Sequence, residues 1–241
     1  RWLVLCDHAR NTVPADVAGG DLGLPPADMG RHIAFDVGAE GVARQLALRL
    51  DAPCIISKFS RLVIDPNRGE DDPTLLMRLY DGTVIPANRT VDGTEVERRL
   101  NRFHRPYHNA LAELAARRDD TVILSIHSFT AQLAGRPPRP WHVSLLSAAD
   151  RRLTDPLLRR MRAEPDLCIG DNEPYGGHLP GPALARALGR AWTTHTGAAG
   201  RGGSAGATTM HSSAARPILT RLGTALWPSS GAAMKKPVRR M

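Results

Sequence analysis

The stretch Thr121-Val122-Ile123-Leu124-Ser125-Ile126-His127-Ser128 leaves this chain the least choice of fold. Its first half is apolar and rich in β-branched residues, and the charged run Arg117-Arg118-Asp119-Asp120 sets it off. A short continuous apolar run of this kind reads as a strand buried on both faces, as in parallel sheets. A strand ending in histidine puts an imidazole at the carboxyl edge of the sheet, where open α/β folds hold their ligands. Two other segments end in polar clusters. Trp2 to Cys6 runs into Asp7-His8-Ala9-Arg10-Asn11, and Leu62-Val63-Ile64 runs into Asp65-Pro66-Asn67-Arg68. Together they would bring histidines, a carboxylate, an amide and a guanidinium to one rim.

The rest of the chain alternates in a matching way. A helix is expected from about His32 to Leu50, a strand from Ala52 to Ser57, and a third strand from Leu62 to Ile64. Residues 69–94 read as a polar loop long enough to cover a substrate. A helix over Thr94 to Arg118 follows, with Thr94 and Glu97 spaced as a capping box and Pro106 placed to kink it. Trp141 to Leu146 reads as a strand, Ala148 to Arg162 as a helix, and Leu167 to Gly170 as a last short strand before Asp171-Asn172-Glu173-Pro174-Tyr175. The fold class expected is α/β, with a mainly parallel or mixed sheet covered by helices on both faces.

A length of 241 residues suits one large α/β domain. No apolar run approaches the ~18 residues of a membrane span, and the first residues are too short an apolar run for a signal peptide. Three cysteines in apolar settings, Cys6, Cys54 and Cys168, suggest reduced thiols and a cytoplasmic protein. The net charge of +8 is misleading until it is divided. The last 68 residues carry nine Lys and Arg and no acid, which leaves 23 basic against 24 acidic residues before them. The body is near neutral, so neither a nucleic-acid nor a membrane partner is expected, and a small anionic substrate is.

Two neutral imidazoles meeting at a sheet edge suit Zn²⁺, whose catalytic sites take three protein ligands; the competing reading is that His8 and His127 only hydrogen-bond loops. Asp65 could fix the tautomer of a ligating imidazole. Asn67 and Arg68 could hold a carboxylate, unless Arg68 pairs with Glu70 or Asp71 at the surface. His104 and His108 stand four apart on a helix without the intervening Glu of a zincin, and read as packing or capping residues.

Ser-Ile-His-Ser-Phe and Ile-Asp-Pro-Asn-Arg resemble the histidine-ligand strand and the carboxylate-binding turn of zinc carboxypeptidases. The ordered set of Asp7 to Asn11, Ser60 to Arg68, Ile126 to Thr130, Arg139-Pro140-Trp141 and Asp171 to Tyr175 resembles the N-formylglutamate amidohydrolase family over about residues 2–182. The resemblance implies a zinc-carboxypeptidase-like fold and hydrolysis of N-formyl-L-glutamate, or a related N-acyl amino acid, to formate and glutamate. It implies His8 and His127 as metal ligands, with Asn11 in the place of a third. Asp65 would stand behind the metal, Asn67 and Arg68 would hold a carboxylate, and Arg61 and Arg139 would be reserves for a second one. A metal-polarised carbonyl and water, with a carboxylate taking the proton, is the implied mechanism.

The family's later strand with a Glu followed by Arg, the general base, has no counterpart here, since Glu173 is the last acid in the chain. Glu173 is the remaining catalytic candidate. The alternative function is a catalytically impaired member that binds an acidic small molecule. Residues 183–241 read as an atypical basic Gly/Ala/Arg-rich tail, expected to be poorly ordered after an amidohydrolase domain over 1–182. Joint loss of acids, apolar periodicity and family likeness is also what a shifted reading frame would produce.

Overall fold

A computed structural model describes residues 1–147, 150–175 and 207–212. The elements run β1 (Trp2–Cys6), α1 (Pro26–Met29), α2 (Ala39–Arg49), β2 (Cys54–Ile56), β3 (Leu79–Tyr80), β4 (Thr83–Val84), α3 (Pro86–Arg89) and α4 (Gly93–Arg99). A π-helical segment, Leu100–His104, leads into α5 (Arg105–Ala115), β5 (Val122–Ser128), β6 (Val143–Leu146), α6 (Thr154–Arg162), β7 (Ile169–Asp171) and β8 (Ala207–Ser212). Six strands form one sheet in the order β2-β1-β5-β8-β6-β7, and β3 with β4 makes a separate hairpin. β2, β1, β5 and β8 are mutually parallel, whereas β6 is antiparallel to β8 and parallel to β7.

The expected mixed α/β sheet with helices on both faces is what the chain forms. Strand alternation sends Val4, Cys6, Leu124 and Ile126 to one face, where they pack with Ala39, Val42, Ala43 and Ala47 of α2 and Leu158 and Met161 of α6. Leu3, Leu5 and Ile123 point to the other face and meet Leu111 of α5. Each such buried aliphatic side chain contributes roughly 1.5–3 kcal/mol. A further core, away from the sheet, gathers Val17, Leu22, Phe59, Leu62, Ile64, Leu75 and Ile85.

Leu62–Ile64 lies in that core and is a turn, not the third strand its composition suggests. All three residues are fully buried. Side chains replace a strand ladder: Asn88 donates to the Leu62 carbonyl at 2.8 Å, and the buried Arg99 donates to the Val63 carbonyl at 2.9 Å and to Asn88 Oδ1 at 2.8 Å. With its carbonyls satisfied this way, an apolar run can be buried without pairing to another strand.

Two helices, α2 and α6, start later than the apolar spacing suggests. Residues 32–38 are turns, because the Asp36 N–H donates to the His8 carbonyl at 2.8 Å, and α2 begins only after Gly38 at φ 80°. α6 begins at Thr154 rather than Ala148. α4 is capped by Asp92, which accepts the Glu95 N–H at 2.9 Å, in place of the Thr94–Glu97 box. The polar stretch 69–94 holds the hairpin and α3, and buries Leu75, Met77 and Ile85. All three cysteines are free, but Cys168 is exposed rather than buried.

The tail expected over 183–241 lies outside the described residues except for Ala207–Ser212. There the backbone pairs with β5 on one side and β6 on the other.

Candidate metal centre

β1 and β5 are parallel neighbours, with Leu5 level with Ser125, so the residues just past Cys6 and the last residues of β5 reach the same rim. His8 and His127 meet there with ring centroids 5.0 Å apart. Between them stands Asp36, brought in by the turn before α2. Its Oδ2 lies 2.8 Å from His127 Nδ1 and 3.4 Å from His8 Nδ1, and accepts the Ser128 N–H at 3.3 Å. Two Nδ1 atoms and one carboxylate oxygen thus face one point. His8, Asp36 and His127 are all buried, with ligand-capable atoms within 4.8 Å of one another.

The far side of each ring is also held. His8 Nε2 is 2.8 Å from Asp65 Oδ1, and His127 Nε2 is 3.5 Å from Asp7 Oδ2 and 3.1 Å from Ser125 Oγ. Each imidazole therefore has a carboxylate behind it, an arrangement that fixes the tautomer leaving Nδ1 unprotonated for a metal. Tyr107 donates to Asp7 from α5. Arg61 donates to Asp65 Oδ2 at 2.7 Å and lies 3.7 Å from Asp36, under the Tyr80 ring. Its buried Nε has no hydrogen-bond partner.

Charge balance points the same way. Asp7, Asp36 and Asp65 are buried against one buried guanidinium, Arg61, which leaves two negative charges when the imidazoles are neutral. A divalent cation cancels that excess, and uncompensated buried charge is costly. Without a cation, protons must do so. Burial opposes a charge on His127, yet the hydrogen bonds and charges of Asp36 and Asp7 push its pKa up to about 10. Burial also opposes the Asp36 charge, but His8 and His127 hold its carboxyl well below the usual range. At Asp65 burial is again outweighed, by Arg61 and His8.

A family model described as N-formylglutamate amidohydrolase matches residues 1–206. The chain belongs to the N-formylglutamate amidohydrolase family. Among solved structures, the gene product Atu2144 from Agrobacterium tumefaciens is similar at 27% identity with a TM-score of 0.75, covering 93% of this chain and 90% of that one. No curated protein matches.

In this family member the sequence-derived ligands His8 and His127 come together, with Asp65 behind His8. Asn11 does not join them. It is exposed, and its amide donates to the Met29 carbonyl at 2.9 Å, so Asp36 stands where a third ligand was sought. The only hint in the sequence is an acid set in the apolar stretch Ile33-Ala34-Phe35, just ahead of Gly38. Asp7 stands in the Asp7 to Asn11 cluster, but nothing in the sequence pairs it with His127.

Asp65 Oδ1 also accepts the Asn67 N–H at 2.8 Å, so one carboxylate joins the metal centre to the turn 65–68. Arg68 is half-buried. It donates to Thr74 Oγ1 at 3.0 Å and is 3.9 Å from Asp72, while Glu70 pairs with Arg105. Arg61 is committed to Asp65 rather than held in reserve. Arg139 packs against Phe129 and Tyr175, donating to the Thr130 carbonyl and the Tyr175 hydroxyl at 3.1 Å each. Glu173 is exposed beside β7, three strands from β5, or ~14 Å at the usual strand spacing. A cavity of about 580 Å³ lined by Trp2, Pro53, Arg117 and Thr121 lies at the opposite rim, where β1 and β5 begin, and takes no part in this site.

Proposed function

We propose that this family member is a metal-dependent amidohydrolase of N-formyl-L-glutamate or a closely related N-acyl amino acid, releasing formate and glutamate. The observation that carries the proposal is the convergence of His8, Asp36 and His127, each imidazole backed by a carboxylate, around a buried excess of negative charge. These three residues would hold Zn²⁺ or another divalent ion, which when bound supplies Lewis-acid polarisation of the scissile carbonyl and of water.

The remaining work falls to the chain's own residues. Asp65 and Asp7 orient the two rings and keep the Nε2 protons away from the reacting centre. Asn67 and Arg68 bind the substrate carboxylate, carried on the turn that Asp65 ties to the centre. Arg139, flanked by Phe129 and Tyr175, would bind a second anionic group, while Arg61 stays with Asp65. A dianionic substrate gives these cations a common purpose.

A second reading has its own support. Asp7, Asp36 and Asp65 each lie against a histidine, which leaves none of the three free to take a proton from water. General-base loss typically removes ~10²–10⁴ of rate. On that reading the chain binds an acidic metabolite and hydrolyses it weakly. Metal analysis of purified protein, followed by formate release from N-formylglutamate with and without chelator, separates the two. One bound metal with chelator-sensitive turnover supports the enzyme; one bound metal with glutamate binding but no formate supports the binder. A metal-free protein that releases formate would overturn both.

A further inference from the structure

The histidines of the 104–108 turn have no role in the metal centre, yet they touch the turn that carries Asn67 and Arg68. His104 Nε2 is 2.9 Å from the Arg68 carbonyl, and His108 Nε2 is 3.0 Å from the Pro66 carbonyl. Carbonyls only accept, so both rings carry their proton on Nε2. Nδ1 of each ring is buried and without a partner among the described residues, so there each ring's hydrogen bond is the one to the carbonyl. Burial also pushes the His108 pKa down, in keeping with a neutral ring. The two rings lie 4.3 Å apart and brace each other.

The local backbone makes this possible. Arg99 and Leu100 are both buried, and from Leu100 the inward positions run on to His104, Tyr107 and Leu111 in steps of three and four residues. Pro106, which has no N–H to give an α-helical ladder, sits at the start of α5 where that loss is tolerated. One helical turn thus presents Tyr107 to Asp7 and both histidines to residues 66–68, while Arg105 pairs with Glu70 just beyond.

We propose that His104 and His108 are positioning residues that fix the pose of the 66–68 turn and so set affinity for the substrate's carboxylate, leaving the metal centre itself unchanged. This rests on the functional reading above, in which that turn binds a carboxylate. The test uses the full-length, zinc-loaded chain and compares His108→Leu, His104→Leu and His108→Gln, the last keeping a donor near the Nε2 position. Three readouts are taken: L-glutamate affinity by calorimetry, zinc content, and hydrogen exchange at the Asn67 and Arg68 amides.

The leucine variants are expected to bind glutamate about tenfold more weakly, the loss of roughly one hydrogen bond, with faster exchange at both amides and full zinc content. His108→Gln is expected to return to within about threefold of the parent chain, as restoring that bond requires. Where formate release is measurable, the loss falls on KM and not on kcat. Unchanged exchange at Asn67 and Arg68 in both leucine variants, loss of zinc in parallel with glutamate, or failure of the glutamine to rescue would each overturn the proposal. A parent chain that binds no glutamate overturns the functional reading and with it the carboxylate role, while the exchange comparison still decides whether the histidines hold the turn.

Discussion

Asp36 and Asp65 divide the work of the candidate centre between a side chain that faces the metal position and one that stands behind a ligand. Asp65 is satisfied from three directions, by His8, Arg61 and the Asn67 N–H, which is why burial does not neutralise it. Asp65→Asn keeps an acceptor but removes the carboxylate charge that stands 2.8 Å from His8 Nε2. Losing the partner of a ligating imidazole costs ~10–100-fold in metal affinity, so competition titration with a chromophoric chelator should show that loss. Asp36→Ala should abolish stoichiometric metal binding altogether. An Asp65→Asn variant with parental metal affinity would remove Asp65 from the site. Asp65 stood out in the sequence through its Asp-Pro-Asn-Arg turn, whereas Asp36, 28 residues from His8, had no such motif to mark it.

At the scale of elements, α4 and the π-helical segment after it hold the chain's second core together through Arg99. This guanidinium is fully buried and binds Glu95, Asn88 Oδ1 and the Val63 carbonyl. Arg99→Met fills similar volume but strands two buried acceptors, at a cost of about 3 kcal/mol, which chemical denaturation of the purified variant would read directly. Glu95 is the half-buried end of the same cluster. Hydrogen bonds from Arg98 first, and then Arg99, lower its pKa to about 2 against the resistance of partial burial. A depressed carboxylate stabilises the fold fully above its unfolded pKa and loses that contribution as pH falls through the folded value. Stability is therefore expected to decline between about pH 4.5 and pH 2, and Glu95→Gln should flatten that acid limb while lowering stability at pH 7. At β7, an added Cβ on Gly170 would stand 2.8 Å from Ser144 Oγ and 3.0 Å from Trp141, so this strand end admits only glycine.

For the whole molecule the sheet order matters most. β8 lies between β5 and β6, so a segment late in the chain joins the strand bearing His127 to the last two strands. Deleting residues 207–241 would expose the backbone edges of both neighbours. Loss of cooperative thermal unfolding, or aggregation through the freed edges, is the expected outcome. A truncated chain that melts as sharply and as high as the parent would show that β8 adds nothing to stability. No helix of the described residues is long and apolar enough to cross a membrane.

Much of this was written in the sequence itself. Buried strands with period-2 faces, the histidines at their ends and the Asp-Pro-Asn-Arg turn depend on local composition, and local composition is what a single chain displays. The tertiary structure alone decided that Asp36 and Asp7 join Asp65 beside those histidines, because a buried carboxylate is tolerated only where distant partners satisfy it. It likewise made Leu62–Ile64 a turn, since Asn88 and Arg99 took over the hydrogen bonds of a strand ladder. It also set His104 and His108 against the carbonyls of Arg68 and Pro66, 36 and 42 residues away.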